Sequence, residues 1–275
     1  MSKYRQISSS YWLSHWQQVV NDGTDKIDAL SKKLAYYLIK EIEPVAGKAI
    51  LDVGAGTGRV DVLLAQAGAK LTLLDIADTS IAFCRNTFHR FSLEGTFIVL
   101  DMFEIPNAEM LKEQFDVVFS SGVIEHYSEQ EQETILANMA YCCKPGGLVI
   151  NFAPSYRGTI YRHTKEMLEK AGQWKFGVEF PVKTLQHCVS PILSIKREYN
   201  IMFLEQFALA PLRGLRRVLY YFLRVLLAKQ LDRLYAQLFG GYLLVSVFEK
   251  KTYLDFAQNS GRMRHQTAHK LTKRE

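Results

Sequence analysis

Few cysteines and the lack of a long apolar run set the first limits on this 275-residue chain. The four cysteines form no Cys-x-x-Cys pair, and Cys142 and Cys143 are adjacent, which argues against a disulfide framework. No stretch of about twenty apolar residues is available for a membrane span, and the first residues lack the apolar region of a secretory signal. We therefore expect a cytoplasmic protein with reduced thiols that is soluble or lies on a membrane surface.

Metal sites and nucleic-acid binding find little support in the sequence. The seven histidines show no spacing typical of a zinc site, so no metal ion is predicted. The net charge of +6 could indicate a nucleic-acid partner, but much of it lies in residues 261–275. We interpret residues 254–275 as a flexible basic tail, which argues against that partner. With 48% hydrophobic residues, residues 1–253 are predicted to form a single domain around one substantial core.

The main functional signal is an apolar strand that runs directly into three alternate glycines. Residues 49–58 read Ala-Ile-Leu-Asp-Val-Gly-Ala-Gly-Thr-Gly. Such glycines adopt backbone conformations closed to other residues and let a ligand approach main-chain N–H groups at a helix N-terminus. A second apolar strand ends at Asp75, about 20 residues after Gly54, where a carboxylate can accept hydrogen bonds from both ribose hydroxyls. The pattern predicts a site for a nucleotide-like ligand.

Strands and helices alternate through the first part of the chain. The predicted strands lie near 48–53, 70–75, 96–100, 115–120 and 147–152, and the predicted helices near 59–67, 79–91 and 128–142. Ser128 and Glu131 form a capping box for the last of these helices, and residues 144–147 (Lys-Pro-Gly-Gly) are predicted to end it with a turn. Short buried strands that alternate with helices predict parallel pairing in a three-layer α/β sandwich, with ligands at the carboxyl ends of the strands.

The pattern changes after residue 154. We predict helical segments near 158–171 and 182–188, a strand over 196–204 and a final strand over 241–248. About 36 residues, 205–240, separate the last two strands and are predicted to form a helical cap.

The spacing Asp-x-Gly-x-Gly-x-Gly over residues 52–58 differs from the Gly-x-Gly-x-x-Gly of dinucleotide-binding turns, which argues against a nicotinamide dehydrogenase. Together with the acid at Asp75, this spacing resembles the first motifs of the class I S-adenosylmethionine-dependent methyltransferase family. The resemblance covers residues 49–153. It implies S-adenosylmethionine as cofactor and a seven-stranded, mostly parallel sheet with an antiparallel last strand, to which this chain adds the helical cap before that strand.

The resemblance also implies roles for particular residues. The cofactor-binding residues would be Asp52, Gly54, Ala55, Gly56, Gly58, Asp75, Ile76, Asp101, Met102, Ser120 and Ser121. In these relatives the acid at Asp52 orders the glycine turn and approaches the methionine amine. Asp101 would accept from the adenine amino group, although a helix N-cap role is the alternative, and Met102 and Ile76 would pack on the ring. Main-chain carbonyls near Ser120 and Ser121 would face the sulfonium.

His126 is the only histidine placed beside the expected point of methyl transfer. Its ordinary pKa of about 6.5 suits a general base for a hydroxyl, phenol or amine. The alternative is that His126 only shapes the pocket, because methyl transfer needs little beyond alignment and desolvation. The chain lacks an Asn/Asp-Pro-Pro-aromatic tetrapeptide after the fourth strand, which in the family argues against nucleobase amino groups and glutamine side chains as acceptors.

Three segments outside the motifs are candidates for acceptor binding. Residues 1–23, rich in Tyr and Trp, form a lid or a staple onto the core. Residues 155–195 and 205–240 form substrate-cap insertions. Within the second insertion, residues 212–227 carry an apolar helical face opposite arginines. Four interpretations fit this face: peripheral membrane contact, a cover for a hydrophobic substrate, ordinary packing on the sheet or a dimer contact. The oligomeric state is not determined by the sequence.

The functional hypothesis is methyl transfer to an oxygen, nitrogen or carbon nucleophile of a small, hydrophobic acceptor, such as a quinone or lipid precursor or a specialised metabolite. Two alternatives remain. One is a cofactor-binding protein without transfer activity that acts as a partner subunit or membrane-surface adaptor. The other is an RNA methyltransferase, which draws only on the positive charge.

Overall fold

The computed structural model describes residues 11, 12, 14, 26–207 and 229–252. Its strands are β1 (Ala49–Val53), β2 (Lys70–Asp75), β3 (Thr96–Val99), β4 (Phe115–Ser121), β5 (Cys143–Pro154), β6 (Leu193–Ile201) and β7 (Leu243–Lys250). Its α-helices are α1 (Ala29–Ile42), α2 (Arg59–Gln66), α3 (Asp78–Arg90), α4 (Glu129–Cys142), α5 (Thr159–Lys170) and α6 (Lys229–Phe239). Short 3-10 helices cover Met102–Asn107, Glu109–Leu111, Ile124–His126, Gln186–Cys188 and Leu204–Phe207.

All seven strands form one sheet in the order β3-β2-β1-β4-β5-β7-β6. The first five strands pair in parallel, and β7 is antiparallel to both β5 and β6. The predicted α/β fold, mostly parallel with an antiparallel end, is confirmed. The strand order reverses between β1 and β4, and in open sheets of this type a ligand crevice forms at that point, outside the carboxyl ends of the strands.

Apolar clusters on both faces of the sheet make the molecule three-layered. Successive side chains of a strand point to opposite faces, so Ile50 and Leu51 of β1 belong to different clusters. The first face packs against α1, α2 and α3 through residues that include Leu38, Val62 and Phe88. The second face packs against α4 through residues that include Ile135 and Met139. Burial on both faces explains why the inner strands read as continuous apolar runs.

Side-chain caps fix where two helices begin. The predicted capping box is confirmed: Ser128 Oγ accepts from the Glu131 N–H, and Glu131 Oε2 accepts from the Ser128 N–H at 3.0 Å. Asp28 caps α1 in the same way, because its Oδ1 accepts from the Ser31 N–H at 2.7 Å. Such caps satisfy backbone donors that the first helical turn leaves unpaired.

The predicted turn over residues 144–147 is wrong. Helix α4 ends at Cys142 and β5 begins at the next residue, so these four residues belong to the strand. The pairing of β5 with β4 shifts register between Phe115 and Val117, as expected for a bulge. Gly146 has a positive φ of 80°, and a Cβ on Gly147 would lie 2.6 Å from Cys143 Sγ. The glycines therefore serve the bulge rather than a helix C-cap.

Three further boundaries differ from the prediction. In place of a helix over 182–188, only the turn 186–188 is helical, and Val182 bridges Ser155 instead. Strand β6 starts three residues before the predicted position, at Leu193. It also ends three residues early, at Ile201, because the next residue, Met202, has a positive φ of 63° that breaks the strand. Strand β7 starts at Leu243, because Gly241 packs against the end of β6: a Cβ there would lie 2.1 Å from the Ile201 oxygen.

Several sequence predictions fall outside the described residues. The tail 254–275 and the apolar strip 212–227 lie there entirely, and only residues 11, 12 and 14 of the predicted lid are described. The helical cap 205–240 is described at its two ends, by the 3-10 turn that ends at Phe207 and by α6. None of the helices in the described ranges combines the length and apolar character that a bilayer crossing requires. The domain boundaries remain predictions.

Candidate functional site

A cavity of about 650 Å³ opens at the carboxyl ends of β1, β2 and β4. Its walls include the glycine turn after β1, the residues that follow β2, β3 and β4, and the start of α1. The opposite wall comes from the segment after α5 and from Trp12, Tyr161 and Tyr242. Residues from both the predicted cofactor motifs and the predicted acceptor cap therefore line one continuous space.

The glycine turn closes over the end of β2. The N–H groups of Gly54 and Ala55 both donate to the Leu74 carbonyl, at 2.8 and 3.1 Å. Gly54 has a φ of 82°, and a Cβ on it would lie 2.6 Å from Val123 Cγ2, so only glycine fits here. Gly54, Ala55 and Gly56 line the cavity as predicted. Gly58 does not line it; it precedes α2 and packs against Cys84, where a Cβ would lie 2.9 Å from the sulfur.

Asp75 ends β2 and organises the turn beside the cavity. Its Oδ2 accepts from the Gly56 N–H and its Oδ1 from the Ala77 N–H, both at 2.9 Å. Burial raises the pKa of Asp75, and these hydrogen bonds oppose the rise. Each carboxylate oxygen has a second lone pair, and Asp75 and Ile76 both line the cavity. The geometry is compatible with the predicted ribose site, which stays a prediction.

Asp101 follows β3 and shows the feature expected of the alternative interpretation. Its Oδ1 accepts from the Phe103 N–H at 2.9 Å and caps the 3-10 helix that begins at Met102. Asp101 and Met102 also line the cavity, beside Leu100. A cap uses one lone pair of one oxygen, so the same carboxylate retains acceptors for a ligand. Contact with adenine remains a prediction.

The two serines at the end of β4 differ in position. Ser121 lines the cavity, and Ser120 does not. Ser120 is fully buried, accepts from Asn151 Nδ2 at 2.7 Å and contacts the sulfur of Met139. The side chain of Ser120 thus supports the packing of β5 and α4, while the approach of the main-chain carbonyls near Ser120 and Ser121 to the sulfonium stays a prediction.

His126 lies in the 3-10 turn after β4 and lines the cavity. Its Nδ1 is 2.7 Å from the Val178 carbonyl oxygen. Because a carbonyl only accepts, Nδ1 carries a proton, and in the neutral ring Nε2 is the basic nitrogen. Nε2 lies 3.9 Å from Glu125 Oε1, and the ring meets the Trp12 ring edge-on at 4.9 Å between centroids. The predicted base therefore has a defined tautomer and orientation, while its role in proton transfer stays a prediction.

Sequence reasoning missed a carboxyl pair below the glycine turn. Asp61, in the first turn of α2, is 1% exposed and lines the cavity together with Asp52. Asp52 Oδ1 and both oxygens of Asp61 have no hydrogen-bond donor among the described residues. Burial raises the pKa of Asp52 well above its ordinary value and that of Asp61 to about 7. An acid in the first turn of a predicted helix is usually interpreted as a solvated charge at the helix N-terminus. The sequence therefore did not indicate that Asp61 is buried.

A second set of polar groups that the sequence did not indicate lies near the end of β4. Tyr161 Oη donates to Glu179, with its oxygens at 2.9 and 3.0 Å, and the Tyr161 and Tyr242 rings pack edge-on at 4.8 Å. Glu125, in the 3-10 turn after β4, completes the set. Tyr161 and Glu179 lie in the insertion 155–195 and Tyr242 just before β7, so only the fold brings them to the end of β4.

Comparisons with known proteins agree with this architecture. Residues 50–147 match a family model described as a methyltransferase domain. A ubiquinone biosynthesis O-methyltransferase from Hydrogenovibrio crunogenus is 26% identical over 170 residues, which cover 61% of this chain and 63% of that protein. Phosphoethanolamine N-methyltransferase 3 from Arabidopsis thaliana is 26% identical over 148 residues, which cover 53% of this chain and 30% of that protein. The chain thus spans less than two thirds of the length of either relative.

A solved structure extends the likeness beyond the matched motifs. The magnesium protoporphyrin IX methyltransferase of Synechocystis, with bound S-adenosylhomocysteine, superposes with a TM-score of 0.56 at 15% identity. The superposition covers 91% of this chain and all of that one. At this identity the likeness concerns the fold, and a cover of 91% extends it beyond residues 50–147.

Proposed function

Because residues 50–147 belong to the class I S-adenosylmethionine-dependent methyltransferase family, we propose that this chain methylates an oxygen, nitrogen or carbon nucleophile of a small, hydrophobic acceptor. The observation that carries this proposal is the single cavity, which joins the glycine turn to a chamber walled by Trp12, Trp174 and Phe176. A cofactor at the turn and an acceptor in the chamber would share this one space.

The described residues fit the cofactor of this family, S-adenosylmethionine. Its methionine carries an ammonium group, and Asp52 Oδ1 and both carboxyl oxygens of Asp61 are buried in the cavity wall without donors among the described residues. A ligand ammonium would supply those donors and a compensating charge. Asp75 would hold the ribose hydroxyls, and Asp101 the adenine amino group. The cofactor supplies a methyl group on a positively charged sulfur, which is already activated for displacement.

The chain's own contribution to the reaction would be alignment, exclusion of water and proton transfer. The aromatic chamber walls position an apolar acceptor, and Ser121 and Gly122 line the passage from the cofactor end. His126, held by its Nδ1–H bond to the Val178 carbonyl, presents Nε2 as a base for a hydroxyl, phenol or amine. Removing solvent strengthens each of these electrostatic contacts.

Quinone or lipid precursors and specialised metabolites are the acceptors that best suit this chamber. The names of two similar proteins, a ubiquinone biosynthesis O-methyltransferase and a magnesium protoporphyrin IX methyltransferase, support a small, largely apolar acceptor. The described aromatic side chains of the chamber support the same class.

A turnover assay with a mixed metabolite extract tests the proposal. Purified protein and S-adenosylmethionine are incubated with the extract, and S-adenosylhomocysteine and methylated products are followed by mass spectrometry. The expected result is formation of both products, reduced in Asp75→Asn at limiting cofactor and retained in Asp78→Asn, because Asp78 is an exposed aspartate at the start of α3. Cofactor binding without S-adenosylhomocysteine formation would favour a binding protein or adaptor without transfer activity.

A further inference from the structure

Glu125 is a buried carboxyl group at the meeting point of the cofactor end and the acceptor chamber. It is 2% exposed and lines the cavity, and its Oε2 has no hydrogen-bond partner among the described residues. Its Oε1 is 3.9 Å from His126 Nε2. Burial, reinforced by the negative charge of Glu179, raises the pKa of Glu125 well above its ordinary value. A buried acceptor without a donor is costly unless a ligand satisfies it.

The groups that face Glu125 carry more negative than positive charge. Glu179 lies close to Glu125, because the N–H of the next residue, Phe180, donates to the Glu125 carbonyl at 2.7 Å. Glu169 interacts with Glu179, and Arg162 and Lys165 of α5 are the nearby cations. Lys165 pairs with Glu169, and the Arg162 guanidinium donates to two backbone carbonyls at the end of β5, at 3.0 and 3.1 Å. The three carboxyl groups outnumber the two cations when all are ionised, and neither cation bonds to Glu125.

The remaining neighbours are phenols, which add no positive charge to the surroundings of Glu125. The hydroxyl of Tyr161 is committed to Glu179 as a donor, and burial together with nearby carboxylates raises the pKa of both Tyr161 and Tyr242. Each phenol therefore stays neutral. Aromatic faces themselves attract cations, and Trp174 and Phe176 stand on the same side of the cavity.

We propose that the acceptor is a hydrophobic amine that binds as an ammonium ion against Glu125, with its apolar body between the aromatic walls. This inference deepens the proposed function and rests on it. An ammonium supplies the donor that Glu125 Oε2 lacks and restores the charge balance of the chamber. A hydroxyl acceptor would supply a donor but would leave the negative excess in place.

The reaction balances with these groups. The bound ammonium gives one proton to the Glu125 carboxylate or to His126 Nε2 and becomes a neutral amine. The nitrogen lone pair forms the bond to the methyl carbon while the carbon–sulfur bond breaks, and its electron pair stays on sulfur. The products are S-adenosylhomocysteine and the N-methylated ammonium, with the released proton on the chain.

Calorimetric binding of matched ligands tests the charge preference without turnover. Three pairs that share a carbon skeleton are titrated into protein saturated with S-adenosylhomocysteine: 2-phenylethylamine and 2-phenylethanol, hexylamine and hexanol, and benzylamine and benzyl alcohol. We expect the amine to bind at least about tenfold more tightly in one or more pairs, since a buried ammonium–carboxylate contact is charge-assisted.

The matched variants are Glu125→Gln, which removes the charge at constant shape, and Glu94→Gln, an exposed glutamate before β3. Glu125→Gln should lose the amine preference, while Glu94→Gln keeps it. Should Glu125→Gln fail to bind S-adenosylhomocysteine, Glu125→Asp replaces it and should show a reduced preference. Equal or undetectable binding of amine and alcohol in all three pairs would overturn the inference. Wild-type protein that does not bind S-adenosylhomocysteine would instead contradict the proposed function.

Discussion

The buried acid Asp61 should lower the free energy of unfolding of the ligand-free protein at neutral and higher pH. Its pKa rises from 3.8 to about 7 on folding because burial disfavours the charged form. Between these pH values the folded protein binds more protons than the unfolded chain, so its stability falls as the pH rises from about 4 to about 7. At about 1.4 kcal/mol per pKa unit, a rise of this size costs on the order of 4 kcal/mol above pH 7, a loss that belongs to the interacting Asp52–Asp61 pair.

Asp61→Asn should remove this loss, because an amide does not ionise and its Nδ2 can donate to Asp52. The substitution also removes a negative charge from the first turn of α2, which forfeits about 0.3–1 kcal/mol of helix-dipole interaction. We therefore expect the free energy of unfolding to increase by about 2–4 kcal/mol at pH 8 and by about 1 kcal/mol at pH 5. Affinity for S-adenosylmethionine should fall about 10- to 100-fold, the loss expected for a charge-assisted hydrogen bond.

Urea denaturation of the ligand-free protein at pH 5 and pH 8, with calorimetric titration of the cofactor, measures both effects. Asp78→Asn is the control, since Asp78 is also in the first turn of a helix but is exposed. It should change neither stability nor affinity appreciably. A variant at position 61 that gains no stability at pH 8, or gains the same amount at both pH values, would refute the reasoning.

Three other substitutions test the site. Gly54→Ala should lower the free energy of unfolding by about 1–3 kcal/mol in urea denaturation, because the new Cβ would meet Val123 at a positive φ; an unchanged value contradicts the turn geometry. Asp75→Asn should weaken cofactor binding about tenfold in calorimetry, and unchanged affinity would remove it from the ribose site. His126→Ala should lower kcat more than it changes affinity, whereas a loss confined to the acceptor KM would make His126 a pocket wall.

Local signals sufficed for the parts of the fold and site that depend on neighbouring residues. Three features depend only on residues that are close in sequence: the glycine turn, the strand-end acid Asp75 and the capping box of Ser128. The spacing of those residues is therefore enough to predict them. The alternation of side chains along β4 also indicates on which side of the strand the Ser120 side chain lies. Successive residues of a strand face opposite sides, and since Phe119 and Ser121 line the cavity, Ser120 must point away from it.

Other features depend on contacts between distant parts of the chain. Glu179 reaches the end of β4 only because the insertion after β5 folds back, through contacts such as the Phe180 N–H donating to the Glu125 carbonyl at 2.7 Å. The Gly146–Gly147 pair resembles a helix-ending turn until the register of β5 against β4 shows a bulge. Such residues have no periodic pattern of their own, so the sequence could not assign them.

Buried acids at both ends of one cavity point to ligands that are positively charged at both ends. Asp52 and Asp61 lie under the glycine turn, and Glu125 and Glu179 lie in the acceptor chamber. In each pair burial raises the pKa of both carboxyl groups. The ionised form of each carboxyl group is thereby less stable in the ligand-free protein than in water at neutral pH. A cation at either end would reverse that penalty, so the proposed cofactor ammonium and the proposed acceptor amine would each compensate one pair of acids.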